Sequence, residues 1–406
     1  MIFGMNSCIE AFEAETIGLD TPLVVDARLT NEEKNHLVIL TRAHAFEQEG
    51  NIPESNAQVS IVENSETNYA FEETSPGHYV STTAFGAKTN QSYQLKITSS
   101  DGSSYVSSSE TMPENIPIAA LELKRQTNGF GEDGVAIVLD NSSLGDLPRY
   151  FRYDYQENYE IRAPNWDPFT FDIIDSIACL DGDAFEVDIK PKNSERGRIC
   201  YGQNFSKNII LASTANLTAN TISDFEVHFV NRENYILTHR YSIMVTQYSQ
   251  SVNAHSYYQS LQAFSTSESV FSEVQPGFLA GNIYSETDSN ENVIGYFETA
   301  SVSSERIFFN YQDLFPNEEL PVYPITCSGL GNPRLIPRGY HCTMGSSGVC
   351  DGNCESPLIG QIQANQIVFA AVKEPTDFLA PYYTLPVACG DCTVLGSSVK
   401  PEFWIE

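Results

Sequence analysis

The sequence predicts an all-β dominated fold, with an N-terminal β-sandwich followed by a larger β-rich domain that carries one helix and disulfide-stapled loops. Three observations carry that expectation. Strand-forming residues are plentiful, including 21 Tyr and 23 Phe, and Gly, Pro, Asn and Ser punctuate them at short intervals. Apolar and polar residues alternate over strand-length runs, as where Tyr93, Leu95 and Ile97 interleave with Gln94, Lys96 and Thr98. The chain of 406 residues is also too long for one ordinary domain, and gives each of two or three units enough sequence to bury a core.

In chain order, residues 1–21 read as a tether. PLVVDARL from Pro22, HLVILTRA from His36 and AQVSIVEN from Ala57 are strand candidates. SPGHYVST supplies a turn, and Asp101-Gly102 closes a hairpin inside SYQLKITSSDGSSYVSS. The run from Ala57 through Gly77 and Tyr79 to Tyr93 and Asp101-Gly102 resembles transthyretin-like or carboxypeptidase-regulatory-like sandwiches, so an Ig-like/transthyretin-like first unit is expected over 22–115. MPENIPIAAL at 112–121 has two prolines and few periodic apolar residues, as a linker should, so the second unit is 116–406.

Beyond the linker, GVAIVLD at 134–140, RYFRYDYQ at 149–156 and a long alternating run from Phe225 to Val245 read as strands. That run puts Tyr235, Leu237, His239, Tyr241, Ile243 and Val245 on one face, with His239 as a hydrogen-bonded sheet residue rather than a ligand. NAHSYYQSLQAF breaks the pattern. Tyr257, Leu261 and Phe264 fall at helical spacing, with Ser251 or Asn253 available as N-cap, so a single helix is expected over Asn253 to Phe264.

Acidic residues outnumber basic ones 53 to 22, giving a net charge of -31. Such a chain repels phosphate backbones and anionic headgroups, which argues against nucleic acid as a partner. Setting Cys8 apart, the remaining cysteines are Cys179, Cys200, Cys327, Cys342, Cys350, Cys354, Cys389 and Cys392, an even set on loop-like sequence without the histidines of a zinc finger. Disulfides and an oxidising compartment follow, with Cys179 and Cys200, isolated from the rest, as the pair to expect. The competing account is a zinc site built from Cys350, Cys354, Cys389 and Cys392.

MIFGMNS leads directly into Cys8, and this looks like the tail of a lipoprotein signal peptide that lacks room for its basic and apolar halves. Cys8 is therefore the expected lipidation site, against a free or buried cysteine, and the native start is expected upstream. No later segment is apolar over the length needed to span a bilayer. Glu10, Glu13 and Glu15 resemble the acidic signals that send Bacteroidota lipoproteins to the outer face of the outer membrane. About 14 residues separate Cys8 from Pro22, a reach of at most roughly 50 Å, so the first unit is expected near the membrane.

Catalytic signatures are missing. Gly129-Phe-Gly131-Glu-Asp-Gly134 matches a dinucleotide fingerprint only in letters, since it precedes a strand instead of opening a helix. There is no G-x-S-x-G, H-E-x-x-H or Walker string, and no catalytic residue, cofactor or metal is assigned. Asp181, Asp183, Glu186 and Asp188, and the Asp288-to-Asn292 segment, are oxygen-rich enough for calcium, but turn chemistry explains both. The aromatic stretch holding Tyr153, Tyr155, Tyr159 and Trp166 is where a ligand-binding surface is expected, with packing inside a sheet as the alternative.

PLVVDARLTNE, YSIMVTQYSQSVNAHSYYQSL, PGFLAGNIYSE with VIGYFETASV, and the terminal CGDCTVLGSSVKPEFW together resemble the Bacteroidota lipoprotein family called domain of unknown function 4249. The resemblance implies a cell-surface lipoprotein of the outer membrane, encoded beside a TonB-dependent receptor and serving it as an accessory or binding component in nutrient uptake. It implies no enzyme and brings no catalytic residues. A surface hydrolase or adhesin acting alone is the rival. Specificity is expected in 116–406, on the loops from Thr326 to Pro357 and from Asn158 to Pro168.

Overall fold

A computed structural model of the chain describes residues 21–43, 52–141, 149–176, 185–218, 220–266, 279, 281–336, 343–344, 350–351 and 355–405. It is all-β dominated, as the alternation predicts. The first unit contains β1 (Leu23–Thr30), β2 (Leu37–Arg42), β3 (Ile52–Pro53), β4 (Gln58–Glu63), β5 (Thr67–Ser75), β6 (His78–Ser81), β7 (Ser92–Thr98), β8 (Ser104–Ser107) and β9 (Glu110–Thr111). They hydrogen-bond in the order β1-β2-β6-β5-β4-β7-β8, with β3 on β2 and β9 on β7. Tyr79, Tyr93 and Tyr105 are fully buried in its core. Each ring fills apolar space while its hydroxyl reaches a polar rim: Tyr79 donates to Glu54 O at 2.7 Å, Tyr93 to Glu63 at 3.1 Å and Tyr105 to Glu291 at 2.7 Å.

The second unit has two facing sheets. One is β10 (Ile118–Thr127), β11 (Asp133–Asn141) and β17 (Phe225–Asn231); the other holds β12 (Tyr150–Arg162), β15 (Ile199–Phe205), β16 (Ile210–Ser213) and β18 (Arg240–Gln250). Val135, Ile137 and Val227 from the first meet Phe151, Tyr241 and Ile243 from the second in one core. The expected strand from Phe225 to Val245 is in fact two strands. The chain turns at Asn231–Asn234, forms a 3-10 turn over Tyr235–Leu237, and places His239 just before β18 instead of inside a sheet. Period-two alternation continues by chance across the turn, and this defeats a reading by pattern alone.

The helix α1 (Val252–Thr266) follows β18, and Ser251 caps it by accepting from Ala254 N at 3.1 Å. After β19 (Ile283–Ser285) comes β20 (Val293–Asn310), whose 18 residues join the two units. From Val293 to Ala300 it runs parallel to β1, and from Ser301 to Asn310 antiparallel to β18. Since β19 pairs with β8, the unit expected at 22–115 is completed by strands nearly two hundred positions away. Gly295 sits at the start of the parallel pairing with φ +123, where a Cβ would lie 2.0 Å from Val25 O.

The remaining elements are α2 (Tyr311–Leu314), the short pair β21 (Thr343–Met344) and β22 (Cys350–Asp351), α3 (Pro357–Gln363), β23 (Ile367–Val372), β24 (Tyr382–Pro386) and α4 (Val387–Gly390). The β23–β24 hairpin and α3 pack on a hairpin of β13 (Phe169–Asp175) and β14 (Glu186–Pro191) around Phe171, Val187, Leu358, Phe369 and Tyr382. Two disulfides fasten this region, Cys200–Cys392 and Cys327–Cys389. The expected Cys179–Cys200 pair is corrected: Cys200 on β15 faces the 3-10 turn after α4, where Cys392 N also donates to Gly197 O. The zinc alternative fails too, because Cys389 and Cys392 are both taken up in disulfides. Cys8, Cys179, Cys342 and Cys354 lie outside the described residues, and for Cys350 only the backbone is described.

Where the two units meet, α1 covers a knot of charge. Glu298 of β20, fully buried, accepts from Arg28 Nε at 3.1 Å and from Tyr258 OH at 3.1 Å, and Gln250 also donates to it. Arg152 lies 3.8 Å from the same carboxylate, with its guanidinium between the rings of Tyr248 and Tyr258, both 4.6 Å away. Burial opposes ionisation of Glu298, but Arg152, Arg28, Gln250 and Tyr258 outweigh it and hold the carboxyl below its ordinary range.

Candidate functional site

The expected aromatic surface divides once it is folded. Tyr153 and Tyr159 are buried, because the inward face of β12 carries the odd-numbered residues from Phe151 to Ile161. They are core, which corrects the expectation that they line a binding surface. Tyr155 is half-buried and stacks on His228 at 4.2 Å, and burial raises its hydroxyl to about 12. Trp166 is the one that stays near the surface, on the loop after β12, with Lys192 at 5.1 Å and Arg198 at 5.6 Å from its ring.

Beside these aromatics, Glu157 accepts from Tyr241 OH at 2.5 Å and meets His228 Nε2 at 3.0 Å. Despite burial, His228, Tyr241 and Asn204 keep its carboxyl below the ordinary range. The grouping resembles an acid–base pair, but Glu157 is 5% exposed and lies outside the larger clefts. It holds the core polar groups satisfied. Among the described residues no group of three or more His, Cys, Asp and Glu is placed to hold a metal. In the Asp288–Asn292 segment, Asp288 accepts from Asn290 N at 2.9 Å as a turn, and Glu291 is held by Tyr105 and Arg42.

A cleft of about 690 Å³ opens at the far end of the second unit. Its floor and walls come from the ends of β12 (Glu160, Arg162), β15 (Ile199, Tyr201), the approach to β18 (Thr238, His239, Arg240), the end of β20 with α2 (Asn310, Gln312), and Leu320 and Trp404. Trp404 packs edge-on against Tyr201 at 5.1 Å and Phe308 at 5.7 Å, which fixes the C-terminal tail as one wall. Cys200 lies between Ile199 and Tyr201, so its bond to Cys392 braces that wall.

Charge in the cleft is uneven. Arg162 Nε donates to Glu160 at 2.5 Å. Arg240 instead donates to uncharged oxygens, Ile405 O at 2.7 Å and Asn310 Oδ1 at 3.4 Å. Burial, and then Arg162, push the His239 imidazole below its ordinary value of 6.5, so it is neutral at pH 7. A neighbouring depression lined by Arg196 and Arg198 shares Ile199 with the cleft. Of the cleft residues, Glu160 and Arg162 fall in the segment from Asn158 to Pro168 where specificity is expected, and the sequence marks His239 only as a sheet residue; sequence reading missed the others, since they come from separate segments. One signal was available: Lys190, Lys192, Arg196 and Arg198 fall close together in an otherwise acidic chain.

A two-unit β-sandwich protein with a disulfide-braced cleft is the class these features define. The family model for DUF4249, a domain of unknown function, matches residues 9–306, most of the chain, and the chain belongs to that family. The match stops short of the terminal CGDCTVLGSSVKPEFW block, so the cleft combines family-matched residues with Asn310, Gln312, Leu320 and Trp404 from beyond it. No curated protein is similar enough to match.

Proposed function

We propose that this protein is a lipoprotein of the outer-membrane surface that acts as an accessory, ligand-binding component of a TonB-dependent transporter. The single observation that carries the reading is that the cleft and the chain's entry at Thr21 lie toward opposite ends of β20. The described chain enters at Thr21, beside Leu23, which pairs with Val293 at one end of β20, while Asn310 at the other end lines the cleft. With 18 residues at roughly 3.3 Å each, the strand carries the cleft up to about 55 Å from that entry. A lipid on Cys8 then puts the first unit at the membrane and turns the cleft outward. Disulfides among the described residues support an oxidising compartment, and family membership supports the transporter link by resemblance.

The test is co-isolation. Extracting the native outer membrane in mild detergent should recover the chain with a β-barrel partner, and intact mass should show acylated Cys8. A chain always recovered without a barrel overturns the accessory reading in favour of a hydrolase or adhesin acting alone, and an unacylated Cys8 overturns the anchor.

A further inference from the structure

We propose that the cleft binds small organic carboxylates, with the anion held by Arg162 and Arg240 and the apolar body of the ligand lying against Ile199 and Leu320. The proposal deepens the reading of the chain as a ligand-binding component and rests on it. The lining holds two guanidinium groups and one carboxylate, Glu160, which engages only the Nε of Arg162. Arg240 has no carboxylate partner among the described residues, and its recorded acceptors are a backbone carbonyl and an amide oxygen. The cleft is thus positive in a chain whose net charge is -31, and a planar guanidinium fork matches a carboxylate in shape as well as sign.

The rest of the lining selects within that class. His239, being neutral, adds a hydrogen-bonding group without a second charge, while the amides of Asn310 and Gln312 are already engaged, the first with Arg240 and Asp313 and the second with Glu318 O and Asn317 N. Ile199 is 37% exposed and Leu320 47%, which leaves an apolar wall open to solvent. Size follows from the field: a polyanion reaching the cleft would also meet the acidic remainder of the surface, whereas a small anion meets only the local cations.

The chain has two tryptophans, Trp404 in the cleft wall and Trp166 outside it beside Lys192 and Arg198, so tryptophan emission, excited selectively over the tyrosines, carries the signal of the cleft wall through Trp404. Titration with cyclohexanecarboxylate should give a saturable change with a dissociation constant on the order of 1 mM. Cyclohexanecarboxamide, which keeps the body and loses the charge, should bind about tenfold more weakly, as should the acid to Arg162→Gln. Arg162→Lys should recover part of the loss. The Arg162 side chain is 57% exposed, so these variants keep the fold, which an unchanged melting temperature checks. Equal binding of acid and amide, an unaffected Arg162→Gln variant, or no saturable change with the acid overturns the proposal. Barrel co-isolation separates it from the accessory reading: a barrel-associated chain that ignores the acid sinks only the present inference, and a chain that binds the acid but never a barrel sinks only the other.

Discussion

The charge knot beneath α1 and the cleft at the end of β20 are assembled from the same materials, two arginines, a glutamate and tyrosines, on the same strands. At the knot Glu298 has no exposed surface, and its neighbours Arg28, Arg152, Gln250 and Tyr258 close around it. At the cleft Arg162 is 57% exposed, and among the described residues the acceptors of Arg240 are neutral oxygens. What differs is water. A buried charge must be matched inside the protein, so the knot joins the two units at high cost to any change. A half-exposed cation needs no internal match, so the cleft keeps capacity for a visitor.

The largest effect should come from the knot. Glu298→Ala leaves Arg28 and Arg152 with only the part-exposed Asp154, at 3.7 and 3.8 Å, and should lower unfolding free energy by about 3 kcal/mol, read from denaturant midpoints. An equal loss in Arg162→Gln breaks the contrast. Next, replacing Cys200 and Cys392 together by serine should cost about 2–4 kcal/mol and slacken the cleft wall, seen as a change in Trp404 emission. Unchanged emission would mean that the bond braces the fold without shaping the cleft.

A pH series sharpens the same comparison. Glu298 and Glu157 both have folded values below their ordinary 4.5, so each contributes stability that is fully present above that value and is lost as pH falls through the depressed one. Stability should fall on acidification, and Glu298→Gln should flatten the curve. The smallest effect is Arg162→Gln, within about 0.5 kcal/mol of the parent in the same denaturation assay.

Local pattern carried much of the fold. Alternation found β1, β4, β7 and β12, and Ser251 with the 3.6-residue spacing of Tyr257, Leu261 and Phe264 found α1. Long-range partnership stayed invisible. VIGYFETASV is buried along both faces in the folded chain, and nothing in its letters says that Val293 to Ala300 belongs beside Leu23 to Thr30. Cys200 shows the same limit: isolation in sequence suggested Cys179, while proximity in space chose Cys392. In the site, alternation placed Tyr153 and Tyr159 on one face without saying which face was inside, and burial decided it. The cleft as a whole was illegible because its walls come from the ends of strands, from α2 and from the C-terminal tail, where no periodic signal survives.

The shared strand has a mechanical consequence. β1 and β20 run in the same direction, with Leu23 opposite Val293 and Thr30 opposite Ala300. A force pulling Leu23 toward its tether while a load drags the Asn310 end the other way acts along this ladder. Its slanted, evenly spaced hydrogen bonds would bear that force together in shear, where a hairpin drawn apart from one end would yield them one after another. With the proposed anchor on Cys8 in place, a chain wired in this order would be tugged without unzipping.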